Sequence, residues 1–470
     1  MTTMSVMSRR STSGALVGVA AASVGVIYGY DSSNIGAALN FIAQDFGLGD
    51  GGKQALATVV VIGEILGAIA AGWVANRIGR KWSMVAVAAT YCLFALLSAL
   101  APSNAALLGA RLLLGVTIGL SVVIVPVFVA ESAAPHRRGA MLVAYQVATI
   151  VGIIAGYVVG YFLAGASAWR WMLGLAALPA LFVTLLVLRM PDTPRWYVTR
   201  GRFDEARNAL AGIDPQADVD LEIAEMRAAL GEASGGRLSE MLRRPWLRAT
   251  VFVVGLGFLI QITGINAVVY YSPKLFEDMG FSGDFGTLMM PAFVQIAGLA
   301  AVIISLFTVD RMGRRPILLG GIAAMVVATI MLIMTYGPLH GNGTAAHLLG
   351  FGGLVLFTMG FSFGFGALVW VYAGEAFPAR LRSYGSSMML TSDLVANAII
   401  AAFTLSLINL IGGAGTFAIF GAFALVGFVF VYLLAPETRG RKLEDIQHFW
   451  QNGGQWPADD PIITSVGDPR

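Results

Sequence analysis

Four ionisable residues stand inside stretches that are otherwise apolar: Asp31, Glu64, Arg111 and Asp393. A charge in such surroundings is costly, and where it persists it marks a path for an ion, a proton or a polar substrate. A carboxyl can take up and release a proton there, and an arginine can hold the carboxylate between those events. The residue types needed for other chemistry are missing or scattered. Cys92 is the only cysteine, so no intrachain disulfide can form. The four histidines, at 136, 340, 347 and 448, show no metal-ligand spacing. No phosphate-binding glycine loop appears, and no external loop carries paired acids or a metal set. A membrane-embedded enzyme and an ATP-driven machine are therefore disfavoured, and no cofactor is expected.

The elements that position these residues are membrane spans. Of 470 residues, 57% are hydrophobic and 12% charged, with a mean hydropathy of +0.76. A soluble chain carries about 25% charged residues. Apolar runs long enough to cross a bilayer as helices fall at 14–35, 55–75, 82–101, 105–130, 139–164, 171–190, 247–272, 287–309, 316–336, 348–373, 383–410 and 414–435. The first could be a signal peptide after Arg9 and Arg10. It contains Asp31, lacks a clean cleavage site and is one such run among many, so it is expected to be retained.

Basic residues set the orientation. Lys53, Arg170 and Lys274 fall in loops of one parity. Arg111 lies inside the fourth span, and the others gather on the opposite side, which is therefore expected to be cytoplasmic, with both termini there. The net charge of +3 marks topology rather than a nucleic-acid surface. By depth along the helices, Asp31 is expected roughly 8–9 Å below the outer end of the first span and Arg111 equally deep in the fourth, a match that permits an ion pair.

The chain repeats itself. GWVANRIGRK at 72–81 returns as FTVDRMGRRP at 307–316. PVFVAESAAPHRRG at 126–139 and GEAFPARLRSYG at 374–385 each place a glutamate seven residues before an arginine. PDTPRWY at 191–197 is answered by PETRG at 436–440. The order is the same in both halves, so two bundles of six helices follow. The expected organisation is an amino-terminal bundle at 1–190, short amphipathic helices at 191–246, a second bundle at 247–435 and a tail at 436–470 whose last part, 451–470, is expected to be mobile. The GEASGG run at 231–236 reads as a local linker.

As a set, these motifs resemble the sugar porter family of the major facilitator superfamily, over residues 28–442. The resemblance implies an all-α membrane protein of twelve transmembrane helices in two six-helix bundles, joined by short cytoplasmic helices. It implies a proton-coupled monosaccharide importer working by alternating access, with the proton gradient as energy source. The partners would be a sugar, a proton and the lipid bilayer, in the plasma membrane (a bacterial inner membrane), with the chain acting as a monomer. A facilitative uniporter and a non-transporting sugar sensor are the alternatives. Asp31 with Arg111 argues against the first, and the short tail against the second.

Residue by residue, the resemblance implies that Asp31, in YGYD, is the proton site and Arg111 its partner. It implies that Gln146, Gln261, Asn266, Trp370 and Asn397 bind the sugar, and that Tyr270 and Tyr271 form an outer gate. Planar amides suit hydroxyls that both donate and accept, and an aromatic face suits the apolar side of the ring. The family usually has a second glutamine where Ile260 stands, and a Gly-Pro where Gly-Ala precedes Trp370's segment. Asp393 stands where xylose symporters carry a glutamine, so an acid joins the site and could select an amino sugar. Glu64 has no family role. At the cytoplasmic helix ends, Arg77, Arg80, Glu131, Arg138, Asp310, Arg314, Glu375 and Arg382 read as a charge network that latches the inner side and breaks when that side opens.

Overall fold

The computed structural model describes residues 2–132, 138–213, 218–233, 238–339, 343–441 and 443–456, with backbone alone at 2–17, 21, 130, 138–143, 229–233, 310, 379, 443 and 444. Among them there is no strand. Twelve helices carry the spans: α1 (Thr2–Phe46), α2 (Asp50–Ile78), α3 (Arg80–Ala99), α4 (Asn104–Ser132), α5 (Arg138–Ala164) and α6 (Trp169–Leu188) in the first half. The second half has α7 (Leu247–Tyr270), α8 (Phe285–Val309), α9 (Arg314–Tyr336), α10 (Gly343–Glu375), and then α11 and α12 as one run, Ala379–Leu434, broken at Gly412. Between the halves lie short helices at Pro194–Thr199, Phe203–Ile213, Val219–Ala233 and Leu238–Met241. They mark one end of the bundles as the linker side. The tail starts with a helix, Leu443–Gln451, that buries Phe449 and Trp450 against Trp246 and Phe252. The Trp456 ring lies tilted against Phe449, centroids 4.7 Å apart, which ties the start of 451–470 to this helix; residues 457–470, like 234–236 of the GEASGG segment, lie outside the described residues.

Lipid offers no partner to a bare peptide group, so the spans must be helices, and helices in lipid adhere by close contact rather than by hydrophobic exclusion. Small residues make that contact. In the first half α1 packs on α5, and α2 on α4. A Cβ at Gly29 would sit 1.8 Å from the Thr149 carbonyl oxygen, so α1 and α5 touch backbone to backbone. In the second half α7 packs on α11, and α9 on both α10 and α12.

Two spans of the second half are discontinuous, as transporter helices near a binding site commonly are. The α7 helix stops at Ile262 and restarts at Ile265 after Gly264, whose φ of 97° suits glycine. The α10 helix is interrupted at Gly364, between Phe363 and Phe365.

One expectation needs correcting. The first apolar run ends at 35, but α1 continues to Phe46. Its polar last turns are held by tertiary partners: Asp45 accepts from Arg170 at 2.8 Å and from the Trp169 indole at 3.1 Å. Those bonds hold the Asp45 carboxyl below its ordinary range. Asp31 is thus fifteen residues from the helix end, about 22 Å along the helix by its rise.

Gly29→Ala should push α1 off α5 and cost about 1–3 kcal/mol, as overpacking does, lowering the thermal midpoint in detergent. Gly72→Ala, where a Cβ meets nothing within 4 Å, is the control. Equal midpoints for the two variants would contradict this seam.

Candidate functional site

The YGYD segment places Asp31 on the face of α1 that meets α4. Arg111 Nη1 donates to Asp31 Oδ1 at 2.7 Å. Both side chains are buried, at 1% and 4% relative exposure. Tyr91 of α3 lies beside Asp31 and reaches the Ile27 carbonyl at 3.5 Å. A buried pair of this kind is fragile in one sense: removing either charge strands the other in a medium that cannot solvate it.

The break in α7 exposes a second polar group. Asn266, just past the break, donates through Nδ2 to Gln261 Oε1 at 2.9 Å and to Asn397 Oδ1 at 2.8 Å. Tyr270 Oη lies 3.3 Å from Asn397 Nδ2. Gln261 also lies beside the Asp393 carboxyl. Five of the residues singled out in the sequence, Gln261, Asn266, Tyr270, Asp393 and Asn397, therefore form one cluster between α7 and α11. Asp393 and Asn397 are one turn apart, so both face α7.

Tyr28 ties this cluster to the first half. It lies within electrostatic range of Glu64, Tyr145, Tyr270 and Asp393, so both halves contribute to one polar interior. Tyr28 and Tyr145 were not singled out in the sequence. Tyr28 opens the YGYD motif, and Tyr145 immediately precedes Gln146, so the signal was adjacent in each case. Gln146 is half-buried on α5, one residue after Tyr145, whose hydroxyl is buried without a hydrogen-bond partner. Trp370 is not brought into the amide cluster by any described hydrogen bond. It sits past the α10 break with 44% of its surface exposed.

Away from the linker, the two halves close on each other. Asn409 Nδ2 donates to Asp50 at 2.8 Å, and the Gln54 amide meets the Ser406 hydroxyl at 2.7 Å. Tyr157 donates to the Val269 carbonyl. A Cβ at Gly36 would lie 2.6 Å from the Tyr270 carbonyl oxygen. Tyr270 and Tyr271 are buried in the same apolar cluster as Ile35, Leu39 and Leu56. The proposed gate residues thus lie in a sealed contact between α1, α2, α7 and α11.

On the linker side, one carboxylate in each half receives two N–H groups at the start of a span. Asp192 accepts from the backbone of Arg80 and Lys81, each at 3.1 Å. Glu437 accepts from the backbone of Arg314 and Arg315, at 3.0 and 3.1 Å. An anion at a helix N-terminus satisfies unpaired donors and meets the positive end of the dipole. The preceding glycines, Gly79 and Gly313, share a φ of 95°, and a Cβ on either would lie within 2.3–2.5 Å of its acid. The repeats PDT and PET are thus matched caps, a role that repeat spacing alone does not reveal. Burial pushes the Asp192 carboxyl up against the pull of its three backbone donors and Arg80.

The expected charge network is partly visible. Arg80 Nε lies 3.2 Å from Glu131 Oε2, which also accepts from Thr193 at 2.6 Å. Glu375 lies beside Thr438 and Arg314. Arg77 stacks over Trp73 at 5.5 Å, and the Arg382 Nε is buried without a hydrogen-bond partner. Arg138 and Asp310 lie outside the described side chains. The Arg80–Glu131 pair joins α3 to α4 inside one half, and it stands although the opposite side is closed. Closure there does not require it to break.

With Gln54 and Ser406 replaced by cysteines in a Cys92→Ser background, a short thiol cross-linker should join the halves. Cross-linking should protect a cysteine at position 39 from a water-soluble maleimide. Labelling at 39 unaffected by the cross-link would contradict the closed contact.

The closed polar interior between two repeated bundles agrees with the comparisons. The family model described as "Sugar (and other) transporter" matches residues 17–450. The metabolite transport protein YwtG of Bacillus subtilis is 35% identical over 90% of this chain and 92% of its own. The galactose–proton symporter of Escherichia coli is 30% identical over 92% and 93%. Among solved structures, the proton:xylose symporter XylE bound to 6-bromo-6-deoxy-D-glucose superposes with a TM-score of 0.79 at 24% identity, covering 94% of this chain and all of that one. Twelve membrane helices in two repeated bundles, matched from end to end by that model and those relatives, place the chain in the sugar porter family of the major facilitator superfamily.

Proposed function

We propose that this sugar transporter is a monosaccharide–proton symporter that works by alternating access. The observation that carries the reading is the buried Asp31–Arg111 pair, 2.7 Å apart, in the same polar interior as the α7–α11 amide cluster. The sugar would exchange its hydroxyls for the hydrogen bonds that Asn266 now makes to Gln261 and Asn397, with Gln146 approaching from the first half. Trp370 would supply an aromatic face from the vestibule. Tyr270 and Tyr271 act as the gate, in the closed position. Protonation of Asp31 frees Arg111 and lets the loaded carrier turn.

The basic-residue bias makes the linker side cytoplasmic, so the closed side faces out. Across a bacterial inner membrane the inward proton gradient then drives sugar import. A relative named for its substrate, the galactose–proton symporter of Escherichia coli, supports this reading. The cytoplasmic residues Arg80 and Glu131 brace the first half, and no cofactor takes part. The chain acts as a monomer.

The test of coupling is Asp31→Asn in proteoliposomes. Concentrative sugar uptake and sugar-driven alkalinisation should be lost while some sugar exchange remains. The folded variant should also be less stable by about 3–5 kcal/mol, because Arg111 loses its partner. Full uphill uptake by this variant would overturn the symport reading in favour of a facilitative uniporter.

We also propose that Asp393 biases the site toward an amino sugar. It lies beside Gln261 and one turn from Asn397. A protonated amine on the ring would pair with it, and such a charge-assisted bond is about twice as strong as a neutral one. Binding of glucosamine and galactosamine should exceed that of glucose and galactose, and Asp393→Asn should erase the difference. Preference for the neutral sugars in the unaltered protein, or an amino-sugar preference kept by the variant, refutes it.

A further inference from the structure

We infer that Glu64 is a second proton-carrying carboxyl, which relays the proton between Asp31 and the water of the substrate cavity. The inference rests on the symport reading and adds a residue to it. Glu64 lies at the middle of α2, fourteen residues from Asp50 and fourteen from Ile78, about 21 Å from either end. Its side chain is 2% exposed, and Oε2 is buried without a hydrogen-bond partner. The groups around it come from five other helices: Tyr28 and Asp31 of α1, Arg111 of α4, Tyr145 of α5, Tyr270 of α7 and Asp393 of α11. It therefore stands between the ion pair and the sugar cluster, within electrostatic range of both.

Charge and hydrogen bonding separate its role from that of Asp31. Among the described residues three carboxyls share this interior, and Arg111 is the cation in range of Glu64. Arg111 is committed to Asp31 at 2.7 Å. An ionised Glu64, with no donor to its Oε2 and no cation of its own, would pay the cost of an unpaired buried charge. A proton on Glu64 removes that cost while Asp31 keeps its arginine. When Asp31 is protonated the balance reverses: Arg111 is freed, and its field then stabilises an ionised Glu64. One guanidinium can serve two acids in turn, provided that they share one proton.

The backbone supports a side-chain switch rather than a helix movement. A Cβ at Gly119 would lie 2.0 Å from the Glu64 carbonyl oxygen, and one at Gly115 would lie 2.1 Å from that of Val60. The α2–α4 seam is therefore backbone on backbone at this level, and the Glu64 side chain is what can move.

The step balances simply. At rest the proton sits on Glu64 and Asp31 holds Arg111. When an incoming proton forms an O–H bond on Asp31, Arg111 is freed, and the Glu64 O–H bond breaks, its proton passing to cavity water that carries it out on the linker side. The O–H bond on Asp31 then breaks and an O–H bond forms on Glu64, directly or through one cavity water, so Asp31 becomes a carboxylate and recovers Arg111. Nothing is oxidised or reduced, and one proton has entered at Asp31 for the one that left from Glu64.

The experiment uses the full chain, unaltered and as Glu64→Gln, Glu64→Asp and Asp31→Asn. Carboxyl infrared difference spectra across a pH titration need no sugar. The unaltered protein should show a protonated-carboxyl band near neutral pH that Glu64→Gln lacks and Asp31→Asn retains. In proteoliposomes with D-galactose, D-xylose and glucosamine as probes, Glu64→Gln should lower proton-driven uptake about tenfold or more, as loss of a transfer group does. It should lower sugar counterflow, which releases no net proton, by less than about twofold on the same reasoning. Its uptake should recover as internal pH rises, because hydroxide then takes the proton from Asp31 directly. Glu64→Asp keeps the carboxyl and should keep the coupling. Coupled uptake by the unaltered protein with the same rate, pH profile and infrared band in Glu64→Gln overturns the relay alone. Sugar movement without proton movement in the unaltered protein overturns both the symport reading and the relay.

Discussion

A carboxylate and a guanidinium 2.7 Å apart, each almost wholly buried, set the terms for the first bundle. Neither charge is tolerable there alone. Asp31 must therefore face α4 and Arg111 must face α1, which fixes the rotation of both helices. The glycine seams serve that constraint. Backbone contact of α1 with α5 at Gly29, and of α2 with α4 at Gly115 and Gly119, holds the helices closely enough for the pair to form. A bundle spaced by larger side chains would have room for the charges but would let each find water instead.

The second bundle repeats the plan without such a pair among its described residues. Its ends are built alike: Gly313 and Glu437 do for α9 what Gly79 and Asp192 do for α3. Its interior differs, because the break at Gly264 lets Asn266 turn toward Asn397 across a helix boundary. The duplication therefore kept the caps, which any membrane bundle needs, and let the interiors diverge, one toward an ion pair and the other toward amides. That division explains why repeat matching locates the ends so well and says little about the centre.

Legibility in the sequence follows the same line. The spans could be read from hydropathy because lipid permits little else than helices, and the observed helices start and stop close to the apolar runs. The exception, α1, runs on to Phe46 because Arg170 and Trp169 hold Asp45, a tertiary cause invisible in a local window. The pairing of Asp31 with Arg111 was legible all the same. The residues gathered at Asn266 were legible as types at family spacings, but their mutual hydrogen bonds were not. Trp370 shows the limit: its identity says aromatic face, and only the helix break and its exposure show that it stands apart from the amides in this conformation. The caps at Asp192 and Glu437 could be seen as a repeat but not as caps, since the N–H groups they accept lie more than a hundred residues away.

The closed contact around Tyr270 also bears on how the interior is wired. Tyr270 packs against α1 at Gly36 and lies 3.3 Å from Asn397. One side chain thus joins the seal between the halves to the amide cluster. Anything that rearranges Asn397 must therefore act on the seal, and opening the seal must disturb Asn397. Tyr28 makes a similar link, from the YGYD helix turn that carries Asp31 to the neighbourhood of Asp393. The ion pair, the amides and the seal are then not three sites but one interior read by two tyrosines. A change in charge at Asp31 reaches the contact between the halves through a turn of α1, without any long-range pathway being needed.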